Sequence, residues 1–333
     1  MNGAPAGTAQ TRRALAASLL AGIERVETGN GFDSLAPTDD LVSVVIPAYS
    51  HEQFVAEAIG SVAAQTHRTI EIILVDDQSP DQTFERALGA LQAGSLPYCA
   101  IKGRHAGMDA NLNAGILLSR GSWISCLGSD DAFPPDSFAA LLSAARRDSA
   151  DVAVGSVQDV GINREFKSSR AEVVERLRAF SGEALRKAIL EQHGSLMIQG
   201  MLISRRVFAR VGLFSPELAA SDFDYLVRMA SLNVTFAFVN VVTCLHRHPR
   251  NALSERQIRR SLDSHIAIAR RHARTGSEYR LAASTVLCEA GLNYLHYGYH
   301  WQATAALLRA LCLAPVNAGR FLYRRLAGRL RRA

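Results

Sequence analysis

The chain has 333 residues, of which 48% are hydrophobic and 20% are charged. These fractions are close to those of soluble globular proteins, so they exclude a largely disordered chain and a protein with many membrane spans. The formal net charge is +6, and the five cysteines are widely spaced without a C-x-x-C pair. We therefore expect no zinc or redox centre, and we expect buried thiols in a reducing, cytoplasmic compartment.

Strand and helix signals alternate from residue 41 onward. Residues 1–40 contain no strong strand signal and end in a turn-rich stretch, so we interpret them as an N-terminal extension. A β-rich run at 42–47, helical spacing at 54–62 and a second β-rich run at 70–75 then predict a βαβ unit.

The alternation continues as far as about residue 150. Strands at 98–101 and 123–127 alternate with helices at 82–93, at 109–119 and after Pro135. Repeated units of this kind predict an α/β fold with a Rossmann-like, mostly parallel central sheet flanked by helices.

The last part of the chain, residues 256–333, is predicted to be a helical C-terminal region. Its basic end fits either a solvated helix terminus or a peripheral contact with an anionic membrane surface. We expect no nucleic-acid partner. The final fourteen residues contain Arg320, Arg324, Arg325, Arg329, Arg331 and Arg332.

Two pairs of adjacent aspartates, Asp76-Asp77 and Asp130-Asp131, follow predicted strands. Ligands of open α/β sheets bind beyond the carboxyl ends of the strands, so we expect the two pairs at one edge of the sheet. Neighbouring carboxylates raise each other's pKa, and a divalent cation removes that repulsion. Mn²⁺ or Mg²⁺ suits such a pair because both ions bind carboxylates together with phosphate oxygens. The alternative interpretation of an acidic pair is a helix cap.

Several short motifs follow one another in the first half of the chain. They are VSVVIPAY at 42–49, QT at 65–66, ILVDDQS at 73–79, NAG at 113–115, and GSWI at 121–124 leading to SDD at 129–131. Their order and spacing resemble the family 2 glycosyltransferases, which are inverting enzymes of the GT-A fold. The resemblance is strongest over residues 41–136 and reaches about residue 255. It implies a GT-A domain at 41–255, with a nucleotide-sugar half at 41–136 and an acceptor half at 137–255.

The resemblance places the nucleotide and the metal in the first half. It implies that Asp131 is a direct ligand of the metal, that Asp130 contacts the ribose or the metal, and that Asp76 supports the nucleotide loop. The residues that it implies around the nucleotide base are Pro47, Ala48, Tyr49 and Asp77.

The chain departs from the family pattern at two positions of this half. Gln78 stands where the family usually has Gly or Asn, and Leu112 stands where an Arg commonly precedes Asn113. Lys102 or Arg104 is the hypothetical substitute for that phosphate contact.

The resemblance places the catalytic base in the second half. GLFSP at 212–216 followed by SDFDY at 221–225 is similar to the segment that carries the base, which implies that Asp222 takes the proton of the acceptor hydroxyl. Ser221 replaces the usual Glu. Asp224 is the alternative base, and its other interpretation is a surface helix residue.

The resemblance extends to two further segments. The family often places a basic, histidine-containing segment where HRHP stands at 246–249, so either imidazole, and His248 in particular, is a candidate ligand of the metal or the diphosphate; the alternative role of His248 is structural. Gln199 and Gly200 resemble, mainly by position, the strand of the family that lines the acceptor site.

The resemblance as a whole implies a hexosyltransferase. We expect a nucleotide diphosphate sugar, of the UDP-sugar type, as donor and a glycan or lipid-linked sugar as acceptor, in cell-envelope polysaccharide synthesis at the inner membrane face. The chain lacks G-x-G-x-x-G and P-loop motifs, which excludes nicotinamide dehydrogenases and P-loop enzymes. A sugar nucleotidyltransferase is more distant, because Tyr49 to Glu52 is not glycine-rich and basic. A catalytically silent binding subunit and a membrane-surface scaffold are the non-enzymatic alternatives.

Overall fold

The computed structural model describes residues 22–192, 196–247 and 255–330, and in this part of the chain nine strands form a single sheet. The strands are β1 (Ile23–Gly29), β2 (Val42–Ala48), β3 (Ile70–Asp76), β4 (Tyr98–Gly103), β5 (Trp123–Cys126), β6 (Val152–Val160), β7 (Phe166–Ser169), β8 (Met201–Ser204) and β9 (Phe236–Arg247). Their order across the sheet is β1-β4-β3-β2-β5-β8-β6-β7, and β9 also pairs with β6.

Helices cover this sheet and then continue beyond it. Those that alternate with the strands are α1 (Val55–Ala63), α2 (Thr83–Ala93), α3 (Met108–Leu118), α4 (Ser137–Arg147), α5 (Ala171–Leu177), α6 (Gly182–Gln192), α7 (Arg205–Val211) and α8 (Ser221–Ser231). The C-terminal region consists of α9 (Glu255–His272), α10 (Gly276–His296), α11 (His300–Leu313) and α12 (Pro315–Leu330).

The centre of the sheet is parallel and is buried on both faces. Strands β4, β3, β2 and β5 pair in parallel. Along β2, Val44 and Ile46 pack in one hydrophobic cluster with Val55 of α1, whereas Val45 packs on the opposite face with Ile116 of α3. A strand covered on both faces is nearly continuously apolar, which explains the run that the sequence shows there. The exception, Ser43, is buried and donates its hydroxyl hydrogen to Glu71 of β3.

The predicted α/β class with flanking helices is confirmed, and the sheet as a whole is mixed. Strand β8 is antiparallel to both β5 and β6, and β7 is antiparallel to β6. Strand β9 runs parallel to β6. The second half therefore adds antiparallel pairs to a parallel core.

Strand β1 lies in the segment where the sequence shows no strong strand signal, so the described part of the predicted N-terminal extension, residues 22–40, contributes a strand to the sheet. β1 pairs antiparallel with β4 from Ile23, opposite Gly103, to Gly29, opposite Tyr98. It is an edge strand and is mostly exposed, with charged residues along its length. Edge strands commonly carry charges, which weakens the apolar alternation that a sequence search detects.

The strand order places the site. Successive connections lead from β2 through β3 to β4 on one side, and the chain then returns to add β5 on the other side of β2. The point between β2 and β5 is the topological switch of the sheet, where the loops that follow the two strands leave a crevice.

The C-terminal helices α9 to α12 pack together around small clusters of buried residues, and helices cover most of the described part of the region that was predicted to be helical. Small residues allow close packing between α10 and α11: a Cβ on Gly291 would lie 2.8 Å from the side chain of Leu307. Among the described residues, no helix is long and apolar enough to cross a membrane. Four of the five cysteines are buried as expected, but Cys312 on α11 is exposed.

Candidate active site

The loops that follow β2 and β5 meet at the switch point. The imidazole Nδ1 of His51 lies 2.8 Å from the hydroxyl of Ser129 and 3.7 Å from the carboxylate of Asp130. The two acidic pairs lie at the same edge of the sheet, and the loop after β2 separates them. Sequence reasoning did not single out His51, because a lone histidine between two polar residues carries no periodic or motif signal.

Asp76 is fully buried at the end of β3 and holds the neighbouring loop. Its carboxylate accepts hydrogen bonds from the backbone N–H and the hydroxyl of Ser79. The Ser79 hydroxyl in turn accepts the N–H of Ser50 at 3.0 Å. Burial raises the pKa of Asp76, and the two bonds from Ser79 oppose that rise. These contacts give Asp76 a geometry suited to the supporting role that the family resemblance implies.

Asp77 is saturated by hydrogen bonds within the protein. Its carboxylate accepts the N–H groups of Ala106 and Gly107 at 2.8 and 3.1 Å and the side-chain amide of Asn111 at 2.7 Å. The ring of His105 lies 3.0 Å from the same carboxylate. Asp77 therefore organises the turn at 105–107, which leads into α3.

An aromatic surface lies next to this turn. The exposed ring of Tyr49 lies 5.0 Å from that of His105, and the two rings are tilted by 52°. Ala48 supplies a carbonyl that accepts the N–H of Asp77 at 2.8 Å, while Pro47 is half-buried in β2. Two neighbouring exposed rings beside a fixed carboxylate can receive a planar heterocycle. His105 is a residue that the sequence interpretation missed.

The carboxylates of Asp131 and Asp130 lie close together at this edge of the sheet. A Cβ on Gly128 would lie 2.6 Å from Oδ2 of Asp131 and 3.1 Å from Oδ1 of Asp130, so both carboxylates converge on one point that only a glycine leaves open. Asp131 is buried, and Oδ1 accepts the backbone N–H of Arg247 at 2.9 Å. Burial, followed by the charge of Asp130, raises the pKa of Asp131 to about 6.

This donor set fits a magnesium or manganese ion. No cluster of three or more His, Cys, Asp or Glu side chains able to hold a metal occurs in the described part of the chain. An ion of this kind commonly takes only one or two carboxylates from the protein and completes its shell with substrate phosphates and water. Asp131 and Asp130 would provide those carboxylates.

Strand β9 closes the site from the second half. The guanidinium of Arg247 donates to the carbonyl of Asp130 at 2.7 Å and to Glu57 of α1 at 2.8 Å, and it lies 4.5 Å from the ring centroid of Phe54. His246 pairs with Asp159 at 3.1 Å. His248, the predicted metal ligand, lies outside the described residues.

The neighbours of His246 explain the direction of its pKa shift. Burial lowers the pKa of His246, but the hydrogen bond to Asp159 and the negative charge of Asp131 outweigh burial and raise it. A protonated imidazole here would partly compensate the two carboxylates when no cation is bound.

Asp222 and its neighbour Ser221 begin α8 and lie near the start of α3. The hydroxyl of Ser221 donates to Asp109 at 2.6 Å. Burial, opposed by that bond and assisted by the charge of Asp222, raises the pKa of Asp109. Asp222 is half-buried and accepts the N–H of Phe223. Asp109 is thus a second carboxylate beside the predicted base, and it was not identified from the sequence.

Asp224 is not a surface helix residue, so that interpretation is wrong. It is fully buried and accepts bonds from His272 at 2.9 Å and from Arg228 at 2.7 Å. Burial raises the pKa of Asp224, but the hydrogen bond from His272 and the charge of Arg228 outweigh burial and lower it. Asp224 thereby joins α8 to the end of α9.

A cavity of about 390 Å³ lies between the start of α3, the loop before α8 and the side of α9. It is bounded on one side by Ala106 and Gly107, the residues whose N–H groups bind Asp77. It thus adjoins the 105–107 turn that Asp77 holds, and Asp109 lines it. Its lining residues are 106–110, Pro216, Leu218, Ala219, Gln257, Arg260 and Ser261.

Asn113 and Gly115 have packing roles. The side-chain amide of Asn113 donates to the carbonyl of Phe214 at 2.9 Å and accepts its N–H at 3.0 Å, which ties α3 to the segment before α8. A Cβ on Gly115 would lie 2.3 Å from Val45, so a glycine is required where α3 crosses β2. Leu112, in the position of the family's arginine, is buried in the core.

The predicted acceptor residues Gln199 and Gly200 lie in a short 3₁₀ turn, 198–200, rather than in a strand. Gly200 is buried, and its carbonyl accepts the hydroxyl of Thr243 at 2.9 Å. Gln199 is half-buried. The strand β8 begins at the next residue.

Comparison with known sequences gives one consistent result. A family model described as Glycosyl transferase family 2 matches residues 43–212, just over half of the chain. An uncharacterized glycosyltransferase of Rickettsia prowazekii is 31% identical over 188 residues, which cover 55% of this chain and 57% of that protein. The match therefore spans little more than half the length of this relative.

Two groups of solved structures share the fold. A mannosyltransferase of Pyrobaculum calidifontis, in complex with GDP-Man and Mn²⁺, aligns with a TM-score of 0.57 at 19% identity and covers 97% of this chain and 88% of that one. TarS of S. aureus in complex with UDP aligns with a TM-score of 0.56 at 15% identity, covering 84% and 82%. At these identities the similarity concerns the fold alone.

Proposed function

Because the chain belongs to glycosyltransferase family 2, we propose that it transfers a sugar from a nucleotide diphosphate sugar to a hydroxyl of an acceptor, with inversion. The observation that carries this proposal is the convergence of Asp131 and Asp130 on Gly128 at the topological switch. Two carboxylates kept close together, one of them buried, destabilise the protein unless a cation joins them. The same cation can neutralise the charge that develops on a departing diphosphate.

The nucleotide is proposed to lie across the loops after β2 and β3. Tyr49 and His105 would contact the base, while Asp77 keeps the 105–107 turn in place. Asp76 would act indirectly, through Ser79 and Ser50. Asp130 and Asp131 would hold the divalent ion, which when bound withdraws charge from the leaving diphosphate.

The acceptor hydroxyl is proposed to approach from the side of α8. Inversion requires a base on the face of the sugar opposite the departing diphosphate. Asp222 would take the proton. The cavity at the start of α3 offers space for a sugar ring, and Asp109, which lines it, accepts a hydrogen bond from Ser221, the neighbour of Asp222. Asp224 is unsuited to this role because His272 and Arg228 already occupy its carboxylate.

A UDP-sugar is the proposed donor, and a glycan or lipid-linked sugar at the inner face of the membrane is the proposed acceptor. The solved structures of the same fold in complex with UDP and with GDP-Man support a nucleotide sugar as the donor class. The choice between uracil and guanine rests on contacts of the base with Tyr49, His105 and their neighbours.

The test is isothermal titration with UDP, GDP, ADP and dTDP, with and without Mn²⁺. We expect metal-dependent binding of one nucleotide by the wild type and its loss in Asp131→Ala. Asp136→Asn is the matched control, since Asp136 is an exposed carboxylate five residues further along the chain. Absence of binding by the folded wild type under all conditions, or unchanged binding by Asp131→Ala, would refute the proposed donor site.

Activity is then tested by nucleotide release from the sugar donor of the base that binds. Metal-dependent binding without any transfer, over a panel of glycan and lipid-linked acceptors, would favour a catalytically silent binding subunit. Transfer that persists in Asp222→Asn would show that another group is the base.

A further inference from the structure

Helix α11 has an apolar outer face in addition to its buried one. Ala303, Ala306 and Ala310 face inward, where α10 packs. The residues on the opposite side, which we call the outer stripe, recur at the spacing of one helix face and carry no charge. They are Trp301, Ala305, Leu308 and Cys312, with Trp301 84% and Leu308 57% exposed.

Such a helix is unusual at a protein surface. A surface helix normally presents a polar face to water, whereas on α11 the exposed polar residues Thr304 and Arg309 flank the outer stripe and do not interrupt it. Exposed apolar residues that form a continuous patch mark contacts with another protein or with a membrane. The outer stripe therefore calls for a partner that supplies apolar surface.

The next helix extends the exposed apolar surface and adds charge. Val316 and Tyr323 project from one side of α12 and are 65% and 73% exposed, and Arg320 lies between them. Tryptophan and tyrosine combine an apolar ring with a polar group, and for this reason they concentrate where the headgroups of a bilayer meet its hydrocarbon.

The charge of this region has one sign. After Glu289 the chain contains no Asp or Glu. A second copy of the chain, which would bring the same positive charge to the contact, is disfavoured by repulsion. An anionic bilayer offers both apolar surface and complementary charge. The arginines of this segment are Arg309, Arg320, Arg324, Arg325, Arg329, Arg331 and Arg332.

We propose that the outer stripe of α11, together with the exposed side of α12, docks on an anionic lipid surface with its aromatic rings at the headgroup level. α11 has only 14 residues, and its inner face packs on the neighbouring C-terminal helices. It would therefore lie in the headgroup region of the bilayer and not cross it. A small apolar patch alone, or a few basic side chains alone, bind a bilayer weakly, but the two together bind it firmly. The proposal refines the location given above and does not depend on sugar transfer.

The chain carries its own probe for this test. Cys312 is the exposed member of the five cysteines and lies on the outer stripe, while the other four are buried. The emission maximum of an environment-sensitive fluorophore on Cys312 should move to shorter wavelength when vesicles of phosphatidylcholine and phosphatidylglycerol are added. Flotation of the unlabelled protein with the same vesicles, without donor or metal, gives the partition coefficient independently of the label.

Trp301→Ser combined with Leu308→Ser should lower the partition coefficient by about tenfold or more, because two large apolar side chains no longer enter the membrane interface. Both residues are exposed, so the fold is retained. The matched control is Val26→Ser with Phe166→Ser, which removes exposed apolar side chains from the sheet edges and should leave binding unchanged. Raising the salt from about 0.1 M to about 0.5 M should weaken binding of the wild type.

Several results would overturn the proposal. These are equal binding to vesicles of phosphatidylcholine alone, binding that the paired serine substitutions do not change, and the absence of vesicle binding. Self-association in sedimentation velocity that the serine substitutions abolish, without vesicle binding, would identify a second copy as the occupant. Nucleotide titration on the same preparation separates failure of docking from failure of the donor site.

Discussion

The two pairs of adjacent aspartates have the same local sequence pattern but opposite physical environments. Asp77 receives hydrogen bonds from two backbone N–H groups and from Asn111, and Asp76 receives two from Ser79. Asp131 receives one backbone bond from Arg247 and lies against Asp130, and its pKa is raised to about 6. The first pair is satisfied by the protein, whereas the second needs a positive charge from outside.

The comparison shows that strand position and ligand capacity are separate properties. Both pairs follow a parallel strand and reach the same edge of the sheet, which strand order alone explains. Which pair is available to a cation depends on hydrogen-bond donors that come from distant parts of the chain, such as Asn111 for one pair and Arg247 for the other. The predictions below test that division.

The largest effect is expected at Asp131. Asp131→Asn keeps the shape and the oxygen that accepts the Arg247 N–H, but it removes the charge on which a divalent ion depends. We expect transfer to fall by about a thousandfold, since an ion at a leaving diphosphate supplies about 4 kcal/mol of transition-state stabilisation. Steady-state rates over a range of Mn²⁺ concentrations measure this loss, with Asp136→Asn as control.

The same substitution should stabilise the metal-free protein. The pKa of Asp131 is higher in the folded protein than in the unfolded chain, so the native state binds this proton more tightly. The free energy of unfolding therefore falls as the pH rises from about 4 to about 6. At pH 7 the ionised group destabilises the fold by about 1 to 3 kcal/mol, and Asp131→Asn removes this term. Urea unfolding measures the free energy of unfolding of both proteins, and Asp131→Asn should be more stable than the wild type at pH 7 but not at pH 4. Added Mn²⁺ should stabilise the wild type alone. A variant less stable than the wild type at pH 7 would contradict the account.

An intermediate effect of the opposite sign is expected at Asp77. Asp77→Asn places an amide group against N–H donors, which leaves at least one of them unpaired and lowers the free energy of unfolding by about 1 to 3 kcal/mol. Nucleotide affinity should fall by about tenfold as the 105–107 turn loosens. The ratio of affinities with and without Mn²⁺ should not change. A change in that ratio would show that the first pair also serves the cation.

The smallest effect is expected at Asp109, whose partner lies far away in sequence. Asp109→Asn keeps an acceptor for Ser221 but removes the negative charge beside Asp222. We expect kcat to fall by about threefold to tenfold and the acid limb of its pH profile to move to lower pH. Ser221→Ala is the comparison, because it breaks the hydrogen bond and keeps the charge. An unshifted profile in Asp109→Asn would assign this carboxylate to packing.

The family and the α/β fold could be predicted because they depend on local signals. The apolar runs of β2 and β3 and the helical spacing of α1 are visible in the sequence and were confirmed, as was family membership. Strand β1 was missed because an exposed edge strand has little apolar alternation. The antiparallel pairs made by β8 were also missed, since its four residues are too short to show a period.

The candidate site was only partly predictable. The acidic pairs could be found because adjacent charges after a strand are conspicuous, but their different environments arise from contacts across the fold. Burial of Asp224 depends on His272, 48 residues away, and Asp109 meets Ser221 across 112 residues. The roles of the predicted base and ligands, including His248, stay predictions.

The contacts of Arg247 have a consequence for dividing this protein into pieces. The side chain comes from the last strand of the second half, where it donates to the carbonyl of Ile162, yet its other contacts are with Asp130, Glu57 and Phe54, all from the first half. A chain cut near residue 136 would leave a buried arginine with only the Ile162 contact in one fragment and an aspartate pair without Arg247 in the other. Neither fragment should fold alone, so recombining halves of related proteins will succeed only where both sides of this contact travel together.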